Sequence, residues 1–222
     1  MQSFRKLQEY VELAQGRSNT YHLLSIIFSE PPTTNLLQSI QTGFLPQFFK
    51  LVEKDFIKLD KELDDVLLGK LSYADDFSSL FQVPTNRYVT PYESVYRQKT
   101  MGGEYSAVVK QLYSYEGIDV AKLDDLPDHI ALELDFMRFL INNEAESWKK
   151  RDKKIIKHYL EVENAFLENH ILIWFPKLAA TIQKNAIASF YKEISNATEQ
   201  FIQQDLQEIK LLTNELISSS KA

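Results

Sequence analysis

Metal chemistry would need several ligands to converge, and the four histidines, His22, His129, His158 and His170, are the first residues to test for it. None belongs to an HExxH pair or to the paired Glu-x-x-His arrangement of carboxylate di-iron bundles, so no metal site is expected. Asp128-His129 could act as an acid–base pair, because a neighbouring carboxylate can bring a histidine titration near neutrality. Adjacent residues on a helix point in different directions, however, and no nucleophile stands beside them. The pair therefore reads as an aspartate near a helix start and a histidine bonded to the loop. The stretch GKLS at 69–72 has the ending of a phosphate-binding loop, but Asp64 stands where its first glycine is required. Gly102-Gly103 could present free amides to an anion, although two glycines before a helix more often serve as punctuation. The basic run KKRDKKIIK at 149–157 is interrupted by Asp152 and has no aromatic residues between its charges, so it reads as a solvated junction between helices. The aromatic residues Tyr73, Phe77, Phe81, Tyr88, Tyr92 and Tyr96 leave two readings open: core rings, or anchors for an apolar peptide.

Most of the chain supplies helices to carry these residues. Apolar positions recur every three or four residues at Phe4, Leu7, Tyr10, Val11 and Leu13, then at Tyr21, Leu24, Ile27 and Phe28, predicting one long opening helix or two in line. Pro31-Pro32 ends it. Thr33 or Thr34 can cap a short helix that Gly43 closes, and a further helical pattern runs from about 46 to 70 through Phe49, Val52, Phe56, Leu59 and Leu63. Residues 72–92 break the period and predict a long irregular segment, the kind that often carries binding. Helical phasing returns over 104–115, and Gly117 can supply a left-handed stop. After the connection IDVAKLDDLPDH, a helix is predicted from Pro127 to about Trp148, with Asp125 as its cap. Others follow over about 152–174, 176–194 and 197–218. The expectation is an all-α fold, a single-domain bundle of roughly eight to ten helices over 1–222, with a possible division into lobes 1–124 and 125–222.

Composition narrows the function. With no cysteine, disulfides, thiolate metal sites and a cysteine nucleophile are excluded. A net charge of −6 argues against a general nucleic-acid binder. The amino terminus does not read as a secretory signal, and ILIWFPKLAA at 171–180 is too short and too interrupted to span a membrane, so a cytoplasmic protein is expected.

Larger blocks carry a resemblance. Arg17, Tyr21, Leu23-Leu24, Phe28 and Pro31-Pro32 open the pattern. PYESVY at 91–96, Met101, Tyr105, Gly117 and DDLPDHIALELDFM at 124–137 continue it, and FLENHILIW at 166–174 with Pro176 and Phe190-Tyr191 completes it. The sequence resembles the TorD/DmsD family of helical accessory proteins, relatives of the NarJ chaperones. The resemblance implies a cytoplasmic chaperone, not an enzyme. Its partners would be the twin-arginine signal peptide and the apoenzyme of a molybdopterin oxidoreductase, and it would carry no cofactor of its own. Matching positions place the peptide groove at Phe77, Leu80, Phe81, Pro91, Tyr92, Ser94, Tyr96, Asp125, Asp128 and His129. Two residues depart from the family pattern: Asp125 replaces a glutamate with the proline moved to 127, and Tyr92 stands where relatives often have tryptophan. The family includes monomers and domain-swapped dimers. The alternatives are a GTP-binding or hydrolysing accessory protein built on Asp128-His129 near Gly102-Gly103, and a helical interaction protein whose aromatic segment is entirely core.

Overall fold

A periodicity of three and four that continues unbroken across Gly16 makes the opening segment one helix, α1 (Leu7–Ser29), which buries Tyr10, Ala14, Arg17, Tyr21, Leu24 and Phe28 along one stripe. The computed structural model describes residues 6–54, 57–70 and 72–218; Phe4 and Phe56, assigned above to helical faces, lie outside the described residues. Thr33 caps α2 (Thr34–Thr42), its hydroxyl accepting the Leu36 amide at 3.2 Å. The expected helix over 46–70 is instead two, α3 (Phe44–Leu51) and α4 (Ile57–Leu67), because the chain turns at Val52–Lys54 with Glu53 in a left-handed conformation.

The segment 72–92 is only half irregular. Ser72 caps α5 (Tyr73–Phe77), which runs straight on into a π-helical turn over Ser78–Gln82 before the chain loosens. Periodicity missed this helix because the wide π turn throws Leu80 and Phe81 out of 3.6-residue phase. After α6 (Glu93–Gln98), α7 (Glu104–Tyr115) ends in a Schellman motif. The Ile118 amide reaches the Tyr113 carbonyl and Gly117 takes φ 88°, as the sequence suggested.

The carboxy-terminal half is regular. α8 (Ile130–Lys150) starts three residues later than expected, with His129 and not Asp125 as its cap. A left-handed Arg151 and the capping Asp152 reverse the chain into α9 (Lys153–Phe166), so the basic run is a helix junction. α9 passes through a π turn, Leu167–Ile171, into α10 (Leu172–Asn185) without a break. Pro176 therefore lies inside a continuous rod and does not begin a new one. The π turn and the proline ring both disturb regular pairing within one turn of each other. The rod survives because Phe166, Leu167, Ile171, Trp174, Phe175 and Leu178 bury its inner face on both sides. The helices expected over 176–194 and 197–218 are divided elsewhere: 176–185 belong to α10, the chain breaks at 186–188, and the rest forms one helix, α11 (Ser189–Ser218). Its first amides are capped from afar: Asp76 accepts from Ile187 and Ala188, and Glu62 from Ser189 and Phe190.

Among the described residues the regular structure is all helical, apart from one isolated antiparallel bridge. α1 lies along α8, α8 packs on α9, and α11 closes against α9 and α10 with α3 and α4 at its side. Where α1, α8, α9 and α11 meet, Arg17 is buried among Asp205 (2.5 Å), Glu163 (2.6 Å) and Glu144 (2.7 Å). The Tyr21 hydroxyl donates to Asp205, the Trp148 indole donates to Glu144, and Tyr10 stacks on Trp148 at 4.2 Å. Burial works against the Arg17 cation, but its three carboxylates outweigh it and hold the guanidinium charged.

Replacing Arg17 by methionine leaves three carboxylates without their cation, and a loss of about 3–5 kcal/mol in unfolding free energy is expected by urea titration. A loss under about 1 kcal/mol would mean that the cluster simply takes up protons.

Candidate functional site

Two connections, 83–92 and 116–129, meet at the bridge between Tyr92 and His129. Its backbone bonds run from the Glu93 amide to the Asp128 carbonyl (3.0 Å) and from the Ile130 amide to the Pro91 carbonyl (2.9 Å). The Asp128 side chain completes the junction by accepting the Ser94 amide at 2.9 Å. A carboxylate that sequence reading put near the start of α8 thus caps α6, 34 positions earlier. His129 caps α8 itself, its Nδ1 accepting the Ala131 amide at 3.1 Å, so the neutral ring carries its proton on Nε2. Burial lowers the His129 pKa, against the pull of Asp125 and Asp128, and favours that neutral form.

The ten residues proposed from the sequence divide into three groups. Phe77, Leu80 and Phe81 are buried at 1, 0 and 8% exposure. Phe81 packs against Phe77, Phe28 and Tyr191, and the Leu80 carbonyl holds the Val89 amide, so these residues back the loop from inside. Pro91, Ser94 and Asp128 are also buried; they build the junction, and the Ser94 hydroxyl accepts the Gly102 amide at 3.0 Å. Tyr92, Tyr96, Asp125 and His129 reach the surface, Asp125 as an exposed residue and the others in part.

These four, with the half-buried Tyr88, form an acidic and aromatic rim. The Tyr92 hydroxyl donates to both Asp125 oxygens at 3.0 and 3.1 Å. The Tyr92 and His129 rings meet edge to face at 5.1 Å, and Tyr96 leans on Trp174 at 5.4 Å. Burial raises all three tyrosine pKa values, Tyr96 to about 12, so the rim keeps neutral phenols around one exposed carboxylate. Such a rim suits a guanidinium or ammonium group, which a carboxylate can pair and aromatic faces can cover. Among the described residues no group of three or more side chains is placed to hold a metal ion, and no helix is long and apolar enough to cross a membrane.

Beneath the rim lies a buried polar cluster that sequence reading missed. Glu93 accepts from Arg97 and contacts His170 Nδ1 at 2.9 Å, while the Trp174 indole donates to Glu133 at 3.0 Å. Arg97 also reaches the Asn169 carbonyl and covers the Tyr105 ring at 4.0 Å. Burial pushes the Glu133 pKa well up, helped by the neighbouring charge of Glu93. A signal for Glu133 was present: with Ile130, Leu134 and Met137 it occupies the apolar stripe of α8.

Asp128→Ala strips the cap from α6 and is expected to cost about 1–2 kcal/mol in denaturant unfolding, whereas Asp128→Asn keeps an acceptor and should lose less than half as much. Because the Glu133 pKa is raised on folding, the folded state binds more protons than the unfolded chain above pH 4.5. Stability is therefore present in full below that value and declines as pH rises through the folded pKa. Glu133→Gln should make this decline shallower in unfolding curves taken across pH, and an unchanged slope would show that the carboxyl ionises without cost.

Comparison with known proteins places the chain in a family. The family model described as the nitrate reductase delta subunit matches residues 51–180, a span that takes in both connections and the buried cluster. The chaperone protein TorD of Vibrio cholerae is 27% identical over 210 residues, covering 90% of this chain and 94% of that protein. The perchlorate reductase assembly chaperone protein of Dechloromonas aromatica is 23% identical, with 90 and 93% covered. A solved structure of a candidate redox enzyme maturation protein from Archaeoglobus fulgidus aligns with 84% of this chain and 93% of that one at 20% identity and a TM-score of 0.48. With more than half of its length matched by the family model, the chain belongs to the nitrate reductase delta subunit family, the NarJ/TorD family that its sequence blocks resemble.

Proposed function

We propose that this protein is an assembly chaperone that holds the twin-arginine signal peptide of a molybdopterin oxidoreductase precursor in the cytoplasm, and keeps the apoenzyme receptive to its cofactor before export. It makes and breaks no bond. The observation that carries this reading is the rim, where Asp125 stands exposed and is oriented by the Tyr92 hydroxyl, with Tyr88 and His129 around it. A guanidinium can form forked bonds to that carboxylate and lie against the rings. The half-buried Leu123 and Leu126 of the same connection offer apolar surface to the stretch that follows the arginines. Family membership and the names of the relatives, a chaperone and a reductase assembly chaperone, support the same reading.

In this proposal the ten residues act at two depths. Tyr92, Tyr96, Asp125 and His129 touch the peptide, while Phe77, Leu80, Phe81, Pro91, Ser94 and Asp128 hold the two connections in register behind them. Client choice depends on the shape of the rim, where Tyr92 in place of a larger indole leaves a smaller, more polar wall.

Calorimetric titration with a synthetic twin-arginine signal peptide tests this. Saturable binding is expected, lost or weakened when both arginines of the peptide are alanine. Asp125→Ala should weaken binding by about 1–3 kcal/mol, and Tyr92→Phe, which only releases the carboxylate, should have a smaller effect. Equal affinity for the two peptides, or a folded Asp125→Ala protein with undiminished affinity, would overturn the rim as the binding site.

A further inference from the structure

The basic run at 149–157 has no part in the rim, and its placement runs against the local electrostatics of the fold. These nine residues hold six of the chain's 25 lysines and arginines and one of its 31 acids. They carry a surplus of five positive charges, which leaves the rest of the chain with a net −11. All six cations are exposed, gathered at the turn where α8 reverses into α9.

Stabilising a helix end would account for Lys149 and Lys150, which lie in the last turn of α8 at its negative end. It does not account for the others. Arg151 takes φ 57°, a left-handed conformation that glycine or asparagine adopts more easily. Lys153 and Lys154 open α9 at the positive end of its dipole, where acids are favoured and the first turn has none. Six like charges along one turn also repel one another. Each of these choices lowers stability, and side chains set against local preference in this way mark a surface with another use.

The neighbouring acids do not cancel the group. Asp152 accepts the Ile155 amide at 3.2 Å as the cap of α9. Glu146 and Glu161 pair with Lys149 at 2.6 Å and with Lys157 at 3.5 Å, but both pairs are open to solvent and hold their lysines weakly. Glu116, the next acid, is half-buried and bonded to His158 at 3.1 Å. Three exposed carboxylates against six exposed cations leave the turn positive.

The shape of the charge selects the partner. A long polyanion such as a nucleic acid would run off the turn onto a body of net −11, and no aromatic residue stands within the run for a base to stack on. A broad anionic surface meets the turn alone. Ile155, 38% exposed among the cations, adds an apolar side chain that such a surface can take up if it is a lipid interface.

We propose that the α8–α9 turn is a membrane-docking surface, which binds anionic phospholipid headgroups through Lys150, Arg151, Lys153 and Lys154 and sets Ile155 into the interface. This surface is independent of the rim and does not depend on what the rim binds.

Co-sedimentation of the full chain with lipid vesicles tests this. Vesicles containing phosphatidylglycerol should bind it saturably, pure phosphatidylcholine vesicles should not, and added salt should weaken the binding. Arg151→Gly should weaken it about fivefold and Lys154→Glu by more. Both variants should also unfold at a higher temperature, because glycine suits the left-handed position and glutamate the start of α9. Loss of binding in a more stable protein is an outcome that misfolding cannot produce. Ile155→Ser should weaken binding without changing its salt dependence, and Asp125→Ala should leave it as it is. Equal binding to both kinds of vesicle, binding to neither, or a Lys154→Glu protein that binds as well as the parent would overturn the proposal. So would tighter binding to a single-stranded oligonucleotide than to the anionic vesicles, which would assign the turn to nucleic acid. Self-association at low salt in place of vesicle binding, lost in Arg151→Gly, would assign it to the acidic body of a second copy and reject the membrane.

Discussion

A single guanidinium joins four helices. Arg17 of α1 is held by Glu144 of α8, Glu163 of α9 and Asp205 of α11, all of them buried. Removing these charges from water is costly, and their mutual attraction does little more than offset that cost. The return is in register: a helix that slid by one turn would leave an unpaired charge in an apolar interior, whereas an all-leucine seam would tolerate the slip. Because α1 is thereby fixed against α8 and α11, the ends of those helices are fixed as well, and the connections that carry the rim begin from defined points.

The same device recurs wherever the chain joins distant parts. Asp76 and Glu62 cap α11 from α5 and α4, and Asp128 caps α6 from the connection before α8. In each case a carboxylate satisfies helix amides that no local side chain reaches, and the helix dipole favours its negative charge. These remote caps explain why so little of the aromatic segment is free to bind. Asp76 and Glu62 tie α5 and α4 to the start of α11, Tyr73 stacks on Phe190 at 4.6 Å, and Phe77 and Phe81 fill the space beneath. The part of the segment that remains at the surface is its end, at Tyr88 and Tyr92, where the bridge to His129 begins.

Function follows from which polar groups are sealed and which are not. Glu93, Glu133, His170 and Trp174 bond to one another below the surface, whereas Asp125, on an exposed turn, is left to meet solvent or a ligand. Tyr92 connects the two levels, since its backbone pairs with His129 and its hydroxyl holds Asp125.

Much of the helical periodicity, the stops at Pro31-Pro32 and Gly43 and the caps at Thr33 and Gly117 were legible from the sequence alone, because each depends on residues within one or two turns. So was the recognition of the family, carried by the blocks around Tyr92 and Asp128. The buried charges were partly legible: Arg17, Glu133, Glu144, Glu163 and Asp205 all fall on the apolar stripe of their helices, a position that marks a charge as buried and therefore paired. Which charge pairs with which was not legible. Arg17 meets its carboxylates across separations of 127, 146 and 188 residues, and no local pattern encodes a contact of that range. For the same reason only the tertiary structure could assign Asp128 to α6 instead of α8, and bury Phe77, Leu80 and Phe81 while leaving Asp125 exposed. A side chain's type and phase are properties of its own helix, but its partner and its access to solvent are set by the elements that pack over it.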